Sequence, residues 1–209
     1  MRNEKTERGL NMKSSNFTTS HTKIEKAVID SYETVRVVKN EKLDIFDENT
    51  YAILKDSDFH NGEIRVTMLS RLLPDAPDFA RGFVGVVFRV NKEGNEFESY
   101  YVRPANGRHP DPIRRSHGSQ YFSYPGYTFS YFREFNITAY EAPADIGLNE
   151  WIDLKCIIKD AKGSFYVNNQ LVLEVNDLKH GPDARGAVGF YVDTGTEAFY
   201  RDLQITCYD

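Results

Sequence analysis

Hydrophobic and polar positions alternate along this chain mostly with a period of two, and no segment of useful length carries a helical period. Ile64, Val66 and Met68 alternate with Glu63, Arg65 and Thr67, the mark of a half-buried strand. Ile152, Leu154, Cys156 and Ile158 alternate with Trp151, Asp153, Lys155 and Lys159 in the same way. Residues 82–90 (GFVGVVFRV) are apolar on both parities, which predicts a central strand covered on both faces. Shorter strands are predicted at 35–38, 51–54 and 137–141. Another covers 97–103, with Glu98, Tyr100 and Val102 on one face and Phe97, Ser99 and Tyr101 on the other. Phe165 and Val167, the pair Asn168-Asn169, then Leu171, Leu173 and Val175 read as a hairpin. Val188, Phe190 and Val192, then Phe199, Leu203 and Ile205, supply the last strands. About a dozen short strands at 8–12-residue spacing predict an all-β fold, a two-sheet antiparallel jelly-roll sandwich. Residues 1–22 are polar and aperiodic and read as a flexible lead-in, so the single domain is expected over 23–209.

A chain of 209 residues buries roughly 70% of its unfolded surface, so this one needs no disulfide or metal to hold it together. The two cysteines, Cys156 and Cys207, show no redox or metal-ligand spacing, and Cys156 falls in a buried alternation. The net charge of −5 argues against a nucleic-acid surface. No apolar run is long enough for a membrane span, and the first thirty residues lack the apolar core of a signal peptide. As written, the sequence reads as cytoplasmic, or as secreted if its N-terminus was trimmed. It leaves the oligomeric state open.

One stretch breaks the pattern. Residues 103–133 (RPANGRHPDPIRRSHGSQYFSYPGYTFSYFR) carry five arginines against one acid, Asp111, with two histidines and many tyrosines and phenylalanines. The segment reads as one long Arg/Tyr-rich loop, too aromatic to stay solvated. Guanidinium planes beside aromatic faces suit a polar or anionic ring-shaped ligand. A face of Glu98 and Tyr100 running into this stretch would form the floor of a sugar-binding groove. Tyr121, Tyr124, Tyr127 and Tyr131 serve either as a sugar platform or as a secondary core that pins the loop.

Three segments then look familiar: WIDLKCIIKDAKGSFYVNNQLVLEV, NDLKHG and GAVGFYVDTGTEAFYRDLQI. They resemble the back half of concanavalin A-like jelly rolls, the lectin, glucanase and laminin-G-like sandwiches. Arg103-Pro104, Asn106-Gly107-Arg108, Arg114-Arg115 with His117, Gln120-Tyr121 and Gly195-Thr196-Glu197-Ala198 resemble, more narrowly, the 3-keto-disaccharide hydrolase branch. The similarity covers roughly residues 45–207. It implies a carbohydrate ligand, bound on the concave sheet under the 103–133 loop, and either glycoside hydrolase-like turnover or lectin-like binding. It also places the loop of Lys179 near the groove. No cofactor is expected; a structural calcium, as in many lectin-like sandwiches, would draw on Asp202, although calcium wants six to eight oxygens.

The paired catalytic carboxylates of sandwich glucanases, Glu-x-Asp-x-Glu on one strand, are missing, and Glu150-Trp151-Ile152-Asp153 has the wrong spacing. A 3-keto sugar demands less, because its ketone acidifies the neighbouring C–H and one base starts an elimination. His117 is the expected base, with Glu141 orienting it or acting in its place, and Arg115 or Arg108 stabilising the developing oxyanion. The expected catalytic set is therefore His117, Glu141 and Arg115. The expected ligand contacts are Glu98, Tyr100, Arg103, Asn106, Arg108, Arg114, Gln120, Tyr121, Tyr124, Lys179 and Glu197.

Overall fold

The computed structural model of the chain describes residues 5–7, 12–40 and 47–208. Fifteen strands among these residues form two sheets in which every pairing is antiparallel. They are β1 (Lys5–Glu7), β2 (Phe17–Ser20), β3 (Thr22–Ile29), β4 (Tyr32–Lys39), β5 (Tyr51–Leu54), β6 (Gly62–Leu72), β7 (Val84–Val90) and β8 (Phe97–Val102). The second half adds β9 (Ser119–Tyr124), β10 (Glu141–Ala142), β11 (Ile152–Lys159), β12 (Lys162–Val167), β13 (Gln170–Val175), β14 (Ala187–Val192) and β15 (Thr196–Cys207). One sheet runs β13-β12-β11-β6-β15-β4-β3, with β1 also on β15. The other runs β10-β9-β8-β7-β14-β5-β2. This is the two-sheet sandwich that the alternation predicts.

The core lies between the sheets. In β11, Ile152, Leu154, Cys156 and Ile158 are all buried and Asp153 and Lys159 exposed, as a strand with one wet face requires. The rings of Tyr100 and Phe165 stack across the sheets at 4.2 Å, and those of Phe190 and Tyr200 do the same. Strand β7 is buried at every position, so something must cover its outer face as well.

Cross-strand register identifies that outer face. Directly paired residues share a face of a sheet, and the pairings Tyr51↔Tyr191, Tyr191↔Gly85, Gly85↔Tyr101, Tyr101↔Gln120 and Gln120↔Glu141 line up as one row. Gly85 is the gap in that row. A Cβ there would sit 2.3 Å from the Tyr100 carbonyl oxygen and 2.6 Å from the Tyr101 Cβ; its absence lets the rings of Tyr101 and Tyr191 meet at 5.2 Å.

The structure corrects several expectations. Residues 17–22, read as lead-in, belong to the sandwich: Phe17 is buried against Phe190 at 5.1 Å and β2 pairs with β5. Residues 1–4 and 8–11 of the lead-in lie outside the described residues. The 103–133 stretch is not one loop. It is divided by β9 and carries three short helices: α1 (Pro104–Gly107), α2 (Pro112–Ser116) and α3 (Phe129–Glu134). The strand expected at 137–141 shrinks to Glu141–Ala142. Glu98 and Tyr100 do not floor a groove; both are fully buried on the inner face, where Tyr100 meets Phe165.

Candidate functional site

The row Tyr101–Gln120–Glu141 ends beneath the three short helices, which roof a cavity of about 220 Å³. Its basic lining is Arg81, Arg103, Arg114, Arg133 and His117, joined by Asn106. Its apolar lining is Phe79, Phe83, Tyr101 and Phe129.

Local sequence explains how each side chain arrives. α1 follows β8 directly, with Pro104 in its first turn, a position where the missing N–H costs nothing. Asn106 on α1 donates from Nδ2 to the His117 carbonyl at 3.0 Å, which ties the two ends of the excursion together. The Asp111 side chain caps α2 by accepting from the Ile113 N–H at 2.9 Å. Adjacent residues on a helix point about 100° apart, so Arg114 and Arg115 cannot serve one cavity. Arg114 lines it; Arg115 donates to the His109 carbonyl at 2.9 Å on the exposed side. On α3, Phe129 and Arg133 are four apart and share a face. The Arg133 guanidinium lies 5.1 Å over the Phe129 ring, while Phe132 turns into the core.

At the centre, the carboxylate of Glu141, 4% exposed, meets His117 Nδ1. Arg133 Nη2 donates to both Glu141 oxygens at 3.1 Å, and Arg103 Nη1 lies 3.9 Å away. An ionised carboxylate accepts only, so Nδ1 carries the proton of this bond; an arginine donates only, so Nε2 is the acceptor where it meets Arg133. Nε2 lies 3.3 Å from Arg133 Nη1. Arg103 is buried and held from behind: it donates to the Tyr101 hydroxyl at 2.8 Å and to Gln120 Oε1, and it lies between the Tyr101 and Phe129 rings.

Behind Tyr101 stands Asp47, buried beside Asp193 and bonded to the Tyr101 hydroxyl at 3.1 Å and the Phe129 N–H. Burial and the neighbouring Asp193 carboxylate raise its pKa from 3.8 to about 7, with Arg103 working the other way. A carboxyl whose folded pKa is raised holds its proton more tightly when folded, so its stabilising preference is complete below about pH 3.8 and is lost as pH rises to about 7. At about 1.4 kcal/mol per unit, the whole change is about 4 kcal/mol. Wild-type stability is expected to fall relative to Asp47→Asn between pH 4 and 7 and to run parallel above pH 8, as read by urea denaturation at each pH. Parallel curves throughout would refute it.

Of the expected site residues, Arg103, Asn106, Arg114 and His117 line the cavity, with Glu141 and Gln120 directly behind them. The others lie elsewhere, and each for a local reason. Arg108 is exposed and paired with Asp145 and Glu150. Tyr121 shares the inner face with Glu98 and Tyr100 and donates to Glu98 at 2.8 Å. Tyr124 stacks on Phe97 at the strand end. Lys179 pairs with Asp177 at 2.6 Å and packs over Tyr140. Glu197 pairs with Arg36 on the outer face of the other sheet. Asp202 pairs with Arg201, and among the described residues no three His, Cys, Asp or Glu side chains group as metal donors. Among the described residues no helix is long and apolar enough to cross a membrane. Sequence reasoning missed Arg81, Phe79, Phe83, Tyr101 and Phe129, and it left Arg133 unused although its four-residue spacing from Phe129 was visible.

The family model for the 3-keto-α-glucoside-1,2-lyase-like domain matches residues 10–206. The chain belongs to this family. No curated protein matches the sequence. Among solved structures, the carbohydrate-binding module CBM66 from Bacillus subtilis is similar, with a TM-score of 0.57 and 12% identity over 89% of this chain and 95% of that one. A protein of unknown function with a galectin-like fold, also from Bacillus subtilis, aligns with a TM-score of 0.57 and 14% identity over 100% of this chain and 99% of that one. At these identities the likeness is one of fold.

Proposed function

We propose that this family member eliminates the glycosidic oxygen from 3-keto-α-glucosides in the cavity beneath the three helices. The observation that carries this reading is the His117–Glu141 pair, set among guanidinium groups in a cavity of one sugar ring's size. Family membership supports a carbohydrate-related function. Ordinary glycosidase chemistry needs two carboxyl groups about 5–9.5 Å apart across the bond; here Glu141 is already engaged by His117 and Arg133, and among the described residues the cavity lining holds no acid.

In this reading Nε2 of His117 takes the proton from C2, the carbon between the ketone and the anomeric centre. The C–H pair moves into the enolate, whose oxygen is met by Arg103 and Arg133. Re-formation of the ketone drives the pair into a C1–C2 double bond and breaks the bond from C1 to the glycosidic oxygen. That oxygen leaves with a proton from the imidazolium or water. Glu141 holds the imidazole by Nδ1 and stabilises the imidazolium, as the carboxylate of a triad does. Phe79, Phe83 and Phe129 keep water off the enolate.

A second reading, binding without turnover, draws on the Arg133 Nη1 contact 3.3 Å from Nε2, which occupies the lone pair the base would use. A proton NMR time course separates the two. Incubated with a 3-keto-α-glucoside and its unoxidised parent, the protein is expected to release aglycone from the ketone alone. Line broadening without product would establish the binder, and equal cleavage of both compounds would overturn the ketone-dependent mechanism.

A further inference from the structure

The cavity holds more positive charge than an elimination needs. An enolate develops one negative charge, and Arg103 and Arg133, already gathered round Glu141, are enough to meet it. Arg81 and Arg114 remain. Among the described residues neither has a carboxylate within ion-pair distance. Arg81 is turned on its own loop, donating to the carbonyls of Asp78 at 2.6 Å and Ala80 at 2.8 Å. Arg114 reaches Asn106 Oδ1 at 3.4 Å, and its buried Nε has no partner among the described residues. The two are near one another and near Arg103: burial and then the charges of Arg114 and Arg103 lower the Arg81 pKa.

Like charges held together in a half-buried site destabilise the empty protein unless an anion comes to them. Among the described residues, Asp78 acts on Arg81 from its own loop, but no acid lines the cavity. The whole chain is acidic, with a net charge of −5, so the cluster is a local reversal and not part of a basic surface. Asp47 is engaged by the Tyr101 hydroxyl and the Phe129 N–H and acts on Arg103. The volume, about 220 Å³, lies below the roughly 300–1,000 Å³ of drug-sized pockets; it admits one ring and a substituent, not an oligosaccharide.

We infer that the ring bound here carries its own oxyanion, a carboxylate or phosphate, clamped by Arg81 and Arg114. This deepens the preceding reading and rests on it for the sugar ring. Guanidinium forks match planar carboxylates and phosphate oxygens in paired hydrogen bonds, which a neutral hydroxymethyl group cannot accept as well. Arg103, Arg133 and His117 then remain for the part of the ring where the chemistry occurs.

Calorimetric titration at low salt with D-glucose, D-glucuronate and glucose 6-phosphate tests the inference. At least one charged ring is expected to bind tenfold or more tightly than glucose, with affinity falling as salt is raised; the better of the two identifies the anion. The double variant Arg81→Gln/Arg114→Gln is expected to lose that preference while melting at or above the wild-type temperature, and Arg81→Lys/Arg114→Lys to keep part of it. Glu141→Gln removes an acid that competes for Arg103 and Arg133, and is expected to bind the charged ring at least as well as wild type. Equal affinity for all three sugars, or no binding of any, would overturn the proposal. Charged-ring preference with no turnover of 3-keto compounds would remove the catalytic reading alone, whereas turnover of neutral 3-keto-glucosides with no charge preference would remove this one alone.

Discussion

His117→Ala is expected to lower elimination from a 3-keto-α-glucoside by about 10²–10⁴-fold, the usual contribution of a positioned general base. The side chain is only partly buried and closes no part of the core, so the variant is expected to melt within a few degrees of wild type. Glu141→Gln is expected to lower the rate too, through a different route. An amide can present its N–H₂ to Nδ1 and stabilise the wrong tautomer, placing the proton on Nε2, where the base needs a lone pair. Substrate affinity is expected to survive both changes, because the arginines remain. Initial rates by NMR, with melting temperature measured alongside, decide the matter. If both variants turn over within threefold of wild type, His117 is not the base.

The second large effect concerns stability. Removing the Glu98 carboxylate is expected to cost about 3–5 kcal/mol, the penalty for stranding a buried partner charge. Glu98 and Arg89 are both fully buried and lie 3.2 Å apart. Glu98 also accepts from the Tyr121 hydroxyl at 2.8 Å, and Arg89 bonds the carbonyls of His60, Gly181 and Asp160. Regular alternation in β7 would turn Arg89 outward with Val87. Instead the backbone at Arg89 has φ +54° and the register with β14 shifts between Ala187 and Gly189, as bulges do when they re-aim a side chain. Glu98→Ala therefore leaves a guanidinium inside the sandwich with carbonyls but no counter-charge. Urea denaturation is expected to show the loss, and Arg89→Met added to Glu98→Ala to recover part of it. A loss below 1 kcal/mol for Glu98→Ala would contradict this account.

That pair also shows where alternation misleads. Glu98 and Tyr100 read as a polar-aromatic surface because charged and hydroxyl-bearing side chains default to water. Instead they are buried: Glu98 is met by Arg89 and Tyr121, and the Tyr100 hydroxyl lies inside beside Ser119. Phe17 is the one fully apolar side chain in β2, and β3 is an edge strand carrying Lys23, Glu25 and Lys26, so neither offered a hydrophobic period to read. Edge strands carry such charges because one side faces solvent.

Sequence alone determined the sandwich. Val, Ile and Phe at period two, broken by turn residues, leave a strand one face to bury, and two sheets are the way to bury many of them. It also marked 103–133 and Glu141 as the candidate site, because arginine, histidine and aromatic residues crowd there without a scaffold period. Only the tertiary structure decided which of those residues meet. Arg114 and Arg115 are neighbours in sequence, yet a single helical turn sends one into the cavity and the other away. Arg81 precedes β7 and Tyr101 lies on β8; the antiparallel pairing of these strands brings both to the site, and Gly85 makes room for the Tyr101 ring. Sheet pairing across tens of residues has no signature in any local pattern, and the site lies on that pairing.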